Sequence, residues 1–538
     1  MKRLVIVAAA TSLGVAGLGA AGFASAGKTA DATSVAATST AALDWHACKK
    51  DLVDAIAAYD ALGPVKVSKI VQCAELQVPL DHAKPDGQKI TLQLTKTPKQ
   101  GSGPAKGDIV VNPGGPGGAG APFGARVYAQ NSPAMQAAYN VIGFDPRGVG
   151  RSVPALSCDK NYTNAPRPSY GEGDAKSVET WLKLSKGYAE SCKKADKIGL
   201  LNHLKTTDSA KDLELIRQAL GSPKLDYYGA SYGTFLGANY AALYPKNVGK
   251  MVFDGVVGPK DAWYDANLNQ DVAFDKNLEY YFGWIARNNA TYGLGTSQRA
   301  VSKFFYDLRK TLETKPVYGK DVAVGPVELT DNIQTAGYRR SAAVWSGFAK
   351  GLSAYKKGDL ATFADTFGVQ TKGGSDDNGY AIYSGVQCTD VQWPLDWKKW
   401  QRDNDRLHKK HPFLTWGNAW YNTPCLTWPA KAGKPLDIER VKDLPKNVLM
   451  FQSTADAATP YAGAKQMHRI FKGSRLVIQD GDRTHCIVHR GSAAVDAYFD
   501  NYFLKGELPE QSRVHVPQLG DPKPLASIAA KTAKAAAE

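Results

Sequence analysis

The chain of 538 residues lacks several patterns that define common classes of binding protein. Its 7 cysteines include no Cys-x-x-Cys pair, so no cysteine-bound metal is expected. No run of lysine and arginine forms a basic arm. The net charge of +15 alone would suggest an anionic partner, but it is spread along the sequence. We therefore expect no nucleic-acid partner and interpret the charge as a solvated surface.

An apolar content of 43% and a charged content of 22% are typical of a globular protein. The length allows about two to four domains, or one elaborated α/β domain.

The first 26 residues have the composition of an export signal. Lys2 and Arg3 precede an apolar stretch diluted by glycine, and Ala24-Ser25-Ala26 is a small-residue cleavage site. A membrane anchor is the alternative, but no basic stop-transfer cluster follows. We predict a signal peptide over residues 1–26, a disordered leader or propeptide over 27–43, and a secreted, extracellular protein with no stable membrane insertion after signal removal.

Export exposes cysteines to an oxidising compartment, where disulfides form. Sequence order suggests local pairs and leaves Cys486 unpaired. The predicted disulfides are Cys48–Cys73, Cys158–Cys192 and Cys388–Cys425.

The run from Lys224 to Pro245 contains Gly-Ala-Ser231-Tyr-Gly between a short apolar strand and a helical pattern. Such a Gly-x-Ser-x-Gly sequence is typical of a nucleophile elbow, in which the serine occupies a tight strand-to-helix turn. The serine hydroxyl then projects beyond the sheet, and the amide of Tyr232 can hold an oxyanion. Ser231 is therefore the candidate nucleophile.

A glycine-rich loop, Asn112-Pro-Gly-Gly-Pro-Gly-Gly118, follows the short apolar strand at residues 108–111. It lacks the Gly-Lys-Ser/Thr ending of a P-loop and the Gly-x-Gly-x-x-Gly fingerprint of a dinucleotide site. The remaining interpretation is the second wall of an oxyanion hole, where backbone amides approach the substrate carbonyl. Gly114 and Gly115 are the candidates, together with Tyr232.

Strands and helices alternate as far as about residue 258, which implies a mostly parallel sheet covered by helices on both faces. Residues 259–442 are instead aromatic and helical, either simply a subdomain with its own core or a cap over the nucleophile. Strand patterns resume at 447–452 and 474–478. We predict an α/β-hydrolase core over 44–258 and 443–510, a helical cap over 259–442 inserted before the last strands, and a flexible tail over 511–538.

Two polar residues follow the resumed strands, Asp456 and His485. The chain order Ser, Asp, His is that of α/β-hydrolase triads, with His485 as general base and Asp456 orienting it. The rival histidines His468 and His489 do not leave a strand end. The rival acids Asp480 and Asp482 lie next to His485 in the sequence, where the geometry for a triad is poor. Cys486 has no base of its own and is interpreted as a packed thiol.

Several segments together resemble the secreted bacterial tripeptidyl aminopeptidases, within the proline-iminopeptidase group of α/β-hydrolases. They are GASYG, NPGGPGG, FDPRGVG, DAATP, GSRLV and the cap segments CTDVQWPLDWKKWQRDNDRLHKKHPF and NAWYNTPCLTWP. The resemblance covers about residues 44–510. It implies removal of short peptides, typically tripeptides, from free amino termini through an acyl-enzyme, with no metal and no cofactor. Ser231, Asp456 and His485 fall on the triad positions of that family. Its members usually carry a further cysteine pair near the C-terminus, whereas here Cys486 stands alone.

A free substrate ammonium requires a carboxylate partner. If three extended residues separate that ammonium from the scissile carbonyl, the partner lies about 7 to 11 Å from Ser231. Cap acids Asp271, Asp275 and Asp390 are the candidates. We expect a monomer acting on peptide or protein N-termini. Alternatives are a secreted esterase or lipase, release of single residues as by proline iminopeptidases, and an inactive adhesion module.

Overall fold

The computed structural model describes residues 43–171, 173–260, 262–374 and 377–525. The predicted signal peptide and nearly all of the predicted leader lie outside these residues. The strands are β1 (His46–Ala47), β2 (Gln72–Pro79), β3 (Lys89–Thr97), β4 (Gly107–Asn112), β5 (Tyr139–Phe144), β6 (Leu225–Ala230), β7 (Val248–Asp254), β8 (Val317–Tyr318), β9 (Val322–Val324), β10 (Val369–Gln370), β11 (Val448–Ser453), β12 (Arg475–Gln479) and β13 (Arg513–Val516).

Helices connect most of these strands. They are α1 (Lys50–Ile56), α2 (Gly120–Gln130), α3 (Pro133–Ala138), α4 (Ala175–Ala195), α5 (Thr206–Ala219), α6 (Tyr232–Leu243), α7 (Tyr264–Arg287), α8 (Asn289–Tyr292), α9 (Gln298–Leu312), α10 (Pro326–Ile333), α11 (Thr335–Tyr338), α12 (Ala342–Lys356), α13 (Leu360–Phe367), α14 (Asn378–Asp390), α15 (Trp397–His408), α16 (Thr415–Asn422), α17 (Tyr461–Ile470) and α18 (Ala493–Lys505). Short 3₁₀ helices lie at Ala57–Ala61, Val67–Lys69, Leu200–His203, Pro245–Asn247, Thr423–Leu426 and Ile438–Arg440.

A 10-stranded sheet runs in the order β1-β2-β3-β5-β4-β6-β7-β11-β12-β13. The pairs from β1 to β5 are antiparallel. Every later pair, from β5–β4 to β12–β13, is parallel. The mostly parallel sheet predicted from the alternation is therefore confirmed, and its parallel strands end at one common edge.

The central strands are buried on both faces. Within β4, Val110 packs into the core that contains α5 and α6, whereas Val111 packs into the core that contains α2 and α18. Successive strand residues point to opposite faces, so an unbroken apolar run places side chains in both cores. This explains why these strands lack the alternation seen in half-exposed strands.

The insertion between β7 and β11 contains α7 to α16 and an antiparallel sheet of β8, β9 and β10. It has a core of its own, which includes Phe274, Trp284 and Trp345. The predicted disulfides Cys48–Cys73, Cys158–Cys192 and Cys388–Cys425 are all present, and Cys486 is a buried free thiol. Among the described residues no helix is both long enough and apolar enough to cross a membrane.

The prediction of a flexible tail is wrong for residues 511–525. Arg513–Val516 forms β13, which pairs in parallel with β12. Farther on, Asp521 accepts hydrogen bonds from Tyr280 (2.9 Å) and Arg287 (2.7 Å). A four-residue strand carries little periodic signal in the sequence. It forms here because the outer edge of β12 offers backbone hydrogen-bond partners that would otherwise be unpaired. Residues 526–538 lie outside the part of the chain that the structure describes.

Candidate active site

The predicted nucleophile lies where β6 meets α6. Ser231 adopts φ 58° and ψ −127°, and α6 begins at the next residue, Tyr232. Such a left-handed conformation is strained for a residue with a side chain and is typical of functional turns. The Ser231 amide donates to the carbonyl oxygen of Asp254 (2.8 Å) at the end of β7, which fixes the turn to the neighbouring strand.

His485 and Asp456 come together across the ends of β11 and β12. The imidazole Nδ1 of His485 lies 2.8 Å from Oδ2 and 3.1 Å from Oδ1 of Asp456. The Asp456 carboxylate is itself held by the amides of Ala458 and Thr459 (both 2.9 Å) and by the Thr459 hydroxyl (2.9 Å). Its side chain is fully buried, so the carboxylate faces the imidazole in a fixed orientation.

Ser231 and His485 line the same cavity, which has a volume of about 250 Å³. Ser231 Oγ and His485 Nε2 are both buried and have no hydrogen-bond partner among the described residues. Because Nδ1 is bonded to Asp456, Nε2 is the ring nitrogen available for the serine. Catalytic hydrogen bonds often form only when substrate binds, so an open Ser–His contact is compatible with this role.

The pKa of His485 is set by two opposing effects. Burial lowers it, but the charge and hydrogen bond of the adjacent Asp456 carboxylate, together with the neighbouring Cys486, outweigh burial and raise the pKa well above 6.5. Burial also raises the pKa of the Cys486 thiol, which lines the same cavity and whose Sγ donates to the Asp254 carbonyl (3.2 Å). Cys486 is therefore a packed thiol, as predicted.

The glycine loop lies directly against the nucleophile turn. A Cβ added at Gly114, whose φ is +89°, would lie 2.5 Å from the Ala230 carbonyl oxygen and 2.8 Å from the Tyr232 amide. The Gly114 amide donates to Asn112 Oδ1 (2.9 Å), so the structure commits this predicted oxyanion donor to a bond within the loop. Gly115 lines the cavity, and Tyr232 presents the first amide of α6.

The rival titratable residues have other partners. His468 bonds to Ser474 (2.8 Å), Asp480 pairs with His515 (2.7 Å), and Asp482 pairs with Arg340 (2.7 Å). His489 does line the cavity, but burial followed by the charge of Arg490 lowers its pKa to about 3.

None of the three predicted clamp acids lines the cavity of Ser231. Asp390 accepts bonds from the amide and hydroxyl of Thr206 (both 2.6 Å), and Asp275 bonds to His411 (3.2 Å). Asp271 lines a separate cavity of only about 10 Å³, and burial raises its pKa well above 3.8. That space holds about one water molecule. The structure thus places none of the three acids in the cavity that Ser231 lines.

Among the described residues, the carboxylate that lines the cavity of Ser231 and His485 is Asp331 of α10. Its oxygens accept from Tyr170 (2.7 Å) and Arg167 (2.9 Å), and its side chain remains 24% exposed. Each carboxylate oxygen has a second lone-pair site, so Asp331 can accept a further donor. Sequence reasoning missed it, because one acid on a short cap helix carries no distinguishing pattern.

Comparisons with known proteins define the class. The family model of the alpha/beta hydrolase fold matches residues 109–489. A tripeptidyl aminopeptidase of Streptomyces lividans is 40% identical over 477 residues, which cover 86% of this chain and 84% of that protein. Serine protease Hip1 of Mycobacterium tuberculosis is 29% identical over 83% of this chain and 87% of its own length. A carboxylesterase B of the same species is 28% identical over 87% of this chain and 89% of its own length.

The fold and the matched region thus define an enzyme of the α/β-hydrolase class. Within that class, the chain belongs to the tripeptidyl aminopeptidase family. The family resemblance found in the motifs is confirmed over most of the chain.

Proposed function

We propose that this protein is a secreted serine exopeptidase that releases short peptides, chiefly tripeptides, from free N-termini. The observation that carries the proposal is one cavity, of about 250 Å³, lined by Ser231, His485 and the cap carboxylate Asp331. In the proposed enzyme, the nucleophile, its base and the partner for a substrate ammonium share this space. The relatedness to a Streptomyces tripeptidyl aminopeptidase supports the same substrate class.

In this mechanism His485 Nε2 takes the proton of Ser231 Oγ as the oxygen attacks the scissile carbonyl. Amides of Tyr232 and Gly115 stabilise the oxyanion, and Asp456 stabilises the imidazolium cation. His485 then gives the proton to the leaving amine, and the peptide C–N bond breaks. In the second half, His485 takes a proton from water and the resulting hydroxide attacks the carbonyl of the acyl-enzyme. The ester bond to Ser231 Oγ then breaks, His485 returns its proton to that oxygen, and the short peptide leaves with a new carboxyl group.

Asp331 replaces the acids predicted from the sequence as the clamp for the substrate ammonium. An ammonium that leaves water needs a charged partner, and the carboxylate supplies one within the cavity. The spacing between this carboxylate and Ser231 then limits how many residues are removed at a time, since each extended residue spans at most about 3.3 to 3.6 Å.

The deciding experiment is mass spectrometry of products from a long peptide, offered unblocked and N-acetylated. Successive tripeptides from the unblocked form only are the expected result. Single residues would indicate release as by proline iminopeptidases. Esters cleaved faster than peptides, with no effect of acetylation, would favour the esterase alternative, which the carboxylesterase B relative keeps open. Fluorophosphonate labelling that Ser231→Ala abolishes would exclude an inactive module.

Asp331→Asn tests the clamp. We expect KM for an unblocked tripeptidyl substrate to rise about 10-fold or more, with turnover of a small ester nearly unchanged. Asp307→Asn is the control, because Asp307 is exposed on cap helix α9 and pairs with Lys303. If Asp271→Asn instead raised KM for the unblocked substrate selectively, Asp271, which was predicted from the sequence, would be the clamp.

Secretion is the remaining part of the proposal. It rests on the export signal pattern, and the disulfides are compatible with an oxidising compartment. N-terminal sequencing of protein from the culture medium tests it, with cleavage after Ala26 as the expected result. An intact Met1 in protein confined to the cells would contradict it.

A further inference from the structure

Three arginines from separate parts of the chain line the catalytic cavity. Arg126 belongs to α2, Arg339 follows α11 in the cap, and Arg490 lies on the segment after the catalytic histidine. The glycine-loop helix, the cap and the loop after His485 thus each contribute one arginine to the lining of the cavity that Ser231 and His485 also line.

These arginines are close enough to disfavour each other's charge. Burial, followed by the charges of Arg490 and Arg126, holds the pKa of Arg339 well below 12.5. Burial and then Arg490 lower the pKa of Arg126. Bringing buried like charges together is costly, and a bound anion would offset that cost.

Among the described residues, no carboxylate pairs closely with Arg490. Within the described residues no ion pair with an N···O distance up to 4.0 Å involves Arg490, and its buried Nε has no hydrogen-bond partner. The charge of Arg490 acts to lower the pKa of Asp254 and of Asp496. The oxygens of these carboxylates nevertheless accept hydrogen bonds from other groups, including the amides of Ile487 (2.7 Å) and His489 (2.7 Å).

A buried ring nitrogen belongs to another residue that lines the cavity. His489 lines the cavity, and its Nε2 has no hydrogen-bond partner in the described part of the chain. Its low pKa keeps the imidazole neutral near pH 7, so it adds hydrogen-bonding capacity without further positive charge. Its backbone is left-handed, with φ 58°, a strained conformation that clusters at functional sites.

We propose that Arg126, Arg339 and Arg490 form an anion subsite of the catalytic cavity that binds a carboxylate of the peptide substrate. The inference rests on the proposed peptidase function. The three positive charges repel the substrate ammonium, so they favour a binding mode in which the ammonium meets Asp331 and a carboxylate meets the arginines. Guanidinium groups suit this role because they donate paired hydrogen bonds to carboxylates.

The carboxylate has two sources in a peptide, an acidic side chain or the free C-terminus. Matched substrates separate them: a four-residue peptide as free acid and as C-terminal amide, and amidated peptides with Glu or Gln at each position. We expect kcat/KM to be about 10-fold to 100-fold higher for the peptide with the carboxylate than for its neutral partner, in one of these two comparisons. Equal rates across all pairs would overturn the proposal.

Substitution of Arg490 locates the effect. Arg490→Gln is expected to bring the ratio between carboxylate and amide substrates close to one, whereas Arg490→Lys keeps part of it. Arg440→Gln is the control, since Arg440 is exposed and pairs with Asp437 (3.0 Å). An unchanged ratio in folded Arg490→Gln would count against the subsite. If that variant does not fold, the measurement below decides with the arginines intact.

Binding to Ser231→Ala, measured by calorimetry, removes turnover from the test. Tighter binding of the carboxylate peptide than of its neutral partner, again by about 10-fold or more, supports the subsite. Equal binding of both members refutes it while leaving the peptidase proposal intact. If neither member binds and the active enzyme cleaves no peptide, the proposed function fails, and this inference fails with it.

Discussion

The Ser231 amide donates to the carbonyl oxygen of Asp254, and the Asp254 side chain holds the loop that follows His485. Its two carboxylate oxygens accept from the amides of Ile487 (2.7 Å) and Val488 (3.0 Å). One residue at the end of β7 thus joins the nucleophile turn to the histidine loop. Asp254 acts through other residues and is a positioning residue.

Replacing Asp254 should therefore affect catalysis more than substrate binding. Asp254→Asn loses one acceptor oxygen of the loop, and we expect kcat to fall about 10-fold to 100-fold with a smaller change in KM. Steady-state kinetics on an unblocked peptide measure this. Asp226→Asn is the matched control, since Asp226 accepts the Lys250 amide (2.7 Å) near the opposite end of β7. Equal losses in the two variants would mean a general effect on folding.

Gly114 should tolerate no side chain. Gly114→Ala places a Cβ 2.9 Å from Ser231 Cβ, and we expect kcat to fall at least about 100-fold because the nucleophile turn must shift. Gly103→Ala is the control, since Gly103 also has a positive φ (+79°) but nothing within 4 Å. It should cost about 1 kcal/mol of unfolding free energy and leave kcat unchanged. Similar kcat values for both variants would contradict the close approach.

The pH profile should report the raised pKa of His485. The base works as neutral imidazole, so kcat/KM should rise with pH, with a midpoint above 6.5. Asp456→Asn removes the carboxylate charge that opposes burial, so the midpoint should fall and kcat should drop by about 10⁴-fold. By linkage, the contribution of His485 to folding stability is full below pH 6.5 and is lost as pH rises through the folded-state pKa. A wild-type midpoint below 6.5 would refute the assignment.

Asp390 should affect stability rather than substrate recognition. Burial raises its pKa from 3.8 to about 6, so its stabilising contribution is full below pH 3.8 and lost as pH rises through about 6. Asp390→Asn should remove about 3 kcal/mol of this pH dependence, measured by urea unfolding. The pKa of Asp254 is also raised to about 6, so its contribution to the pH dependence of stability remains in this variant. A large rise in KM for unblocked peptides would instead support Asp390 as the clamp.

Several features were predictable because their signals are local. The elbow around Ser231 needs glycines close to a serine between a strand and a helix, and each disulfide joins cysteines that are neighbours in cysteine order. Asp456 and His485 follow strands whose apolar runs are evident in the sequence. By contrast, β13 is four residues long, and Asp331 lies on a short helix with no periodic mark.

The sequence by itself determined the α/β class, the main apolar strands of the sheet and the candidate triad, because these follow from short-range patterns. Only the tertiary structure decided which charges share the catalytic cavity. A charge of +15 spread along the chain says nothing of Arg126, Arg339 and Arg490 meeting there. The tertiary structure likewise placed Asp331, but not Asp271, Asp275 or Asp390, in the lining of this cavity. Burial and hydrogen-bond partners arise from contacts between distant segments, which the sequence does not show.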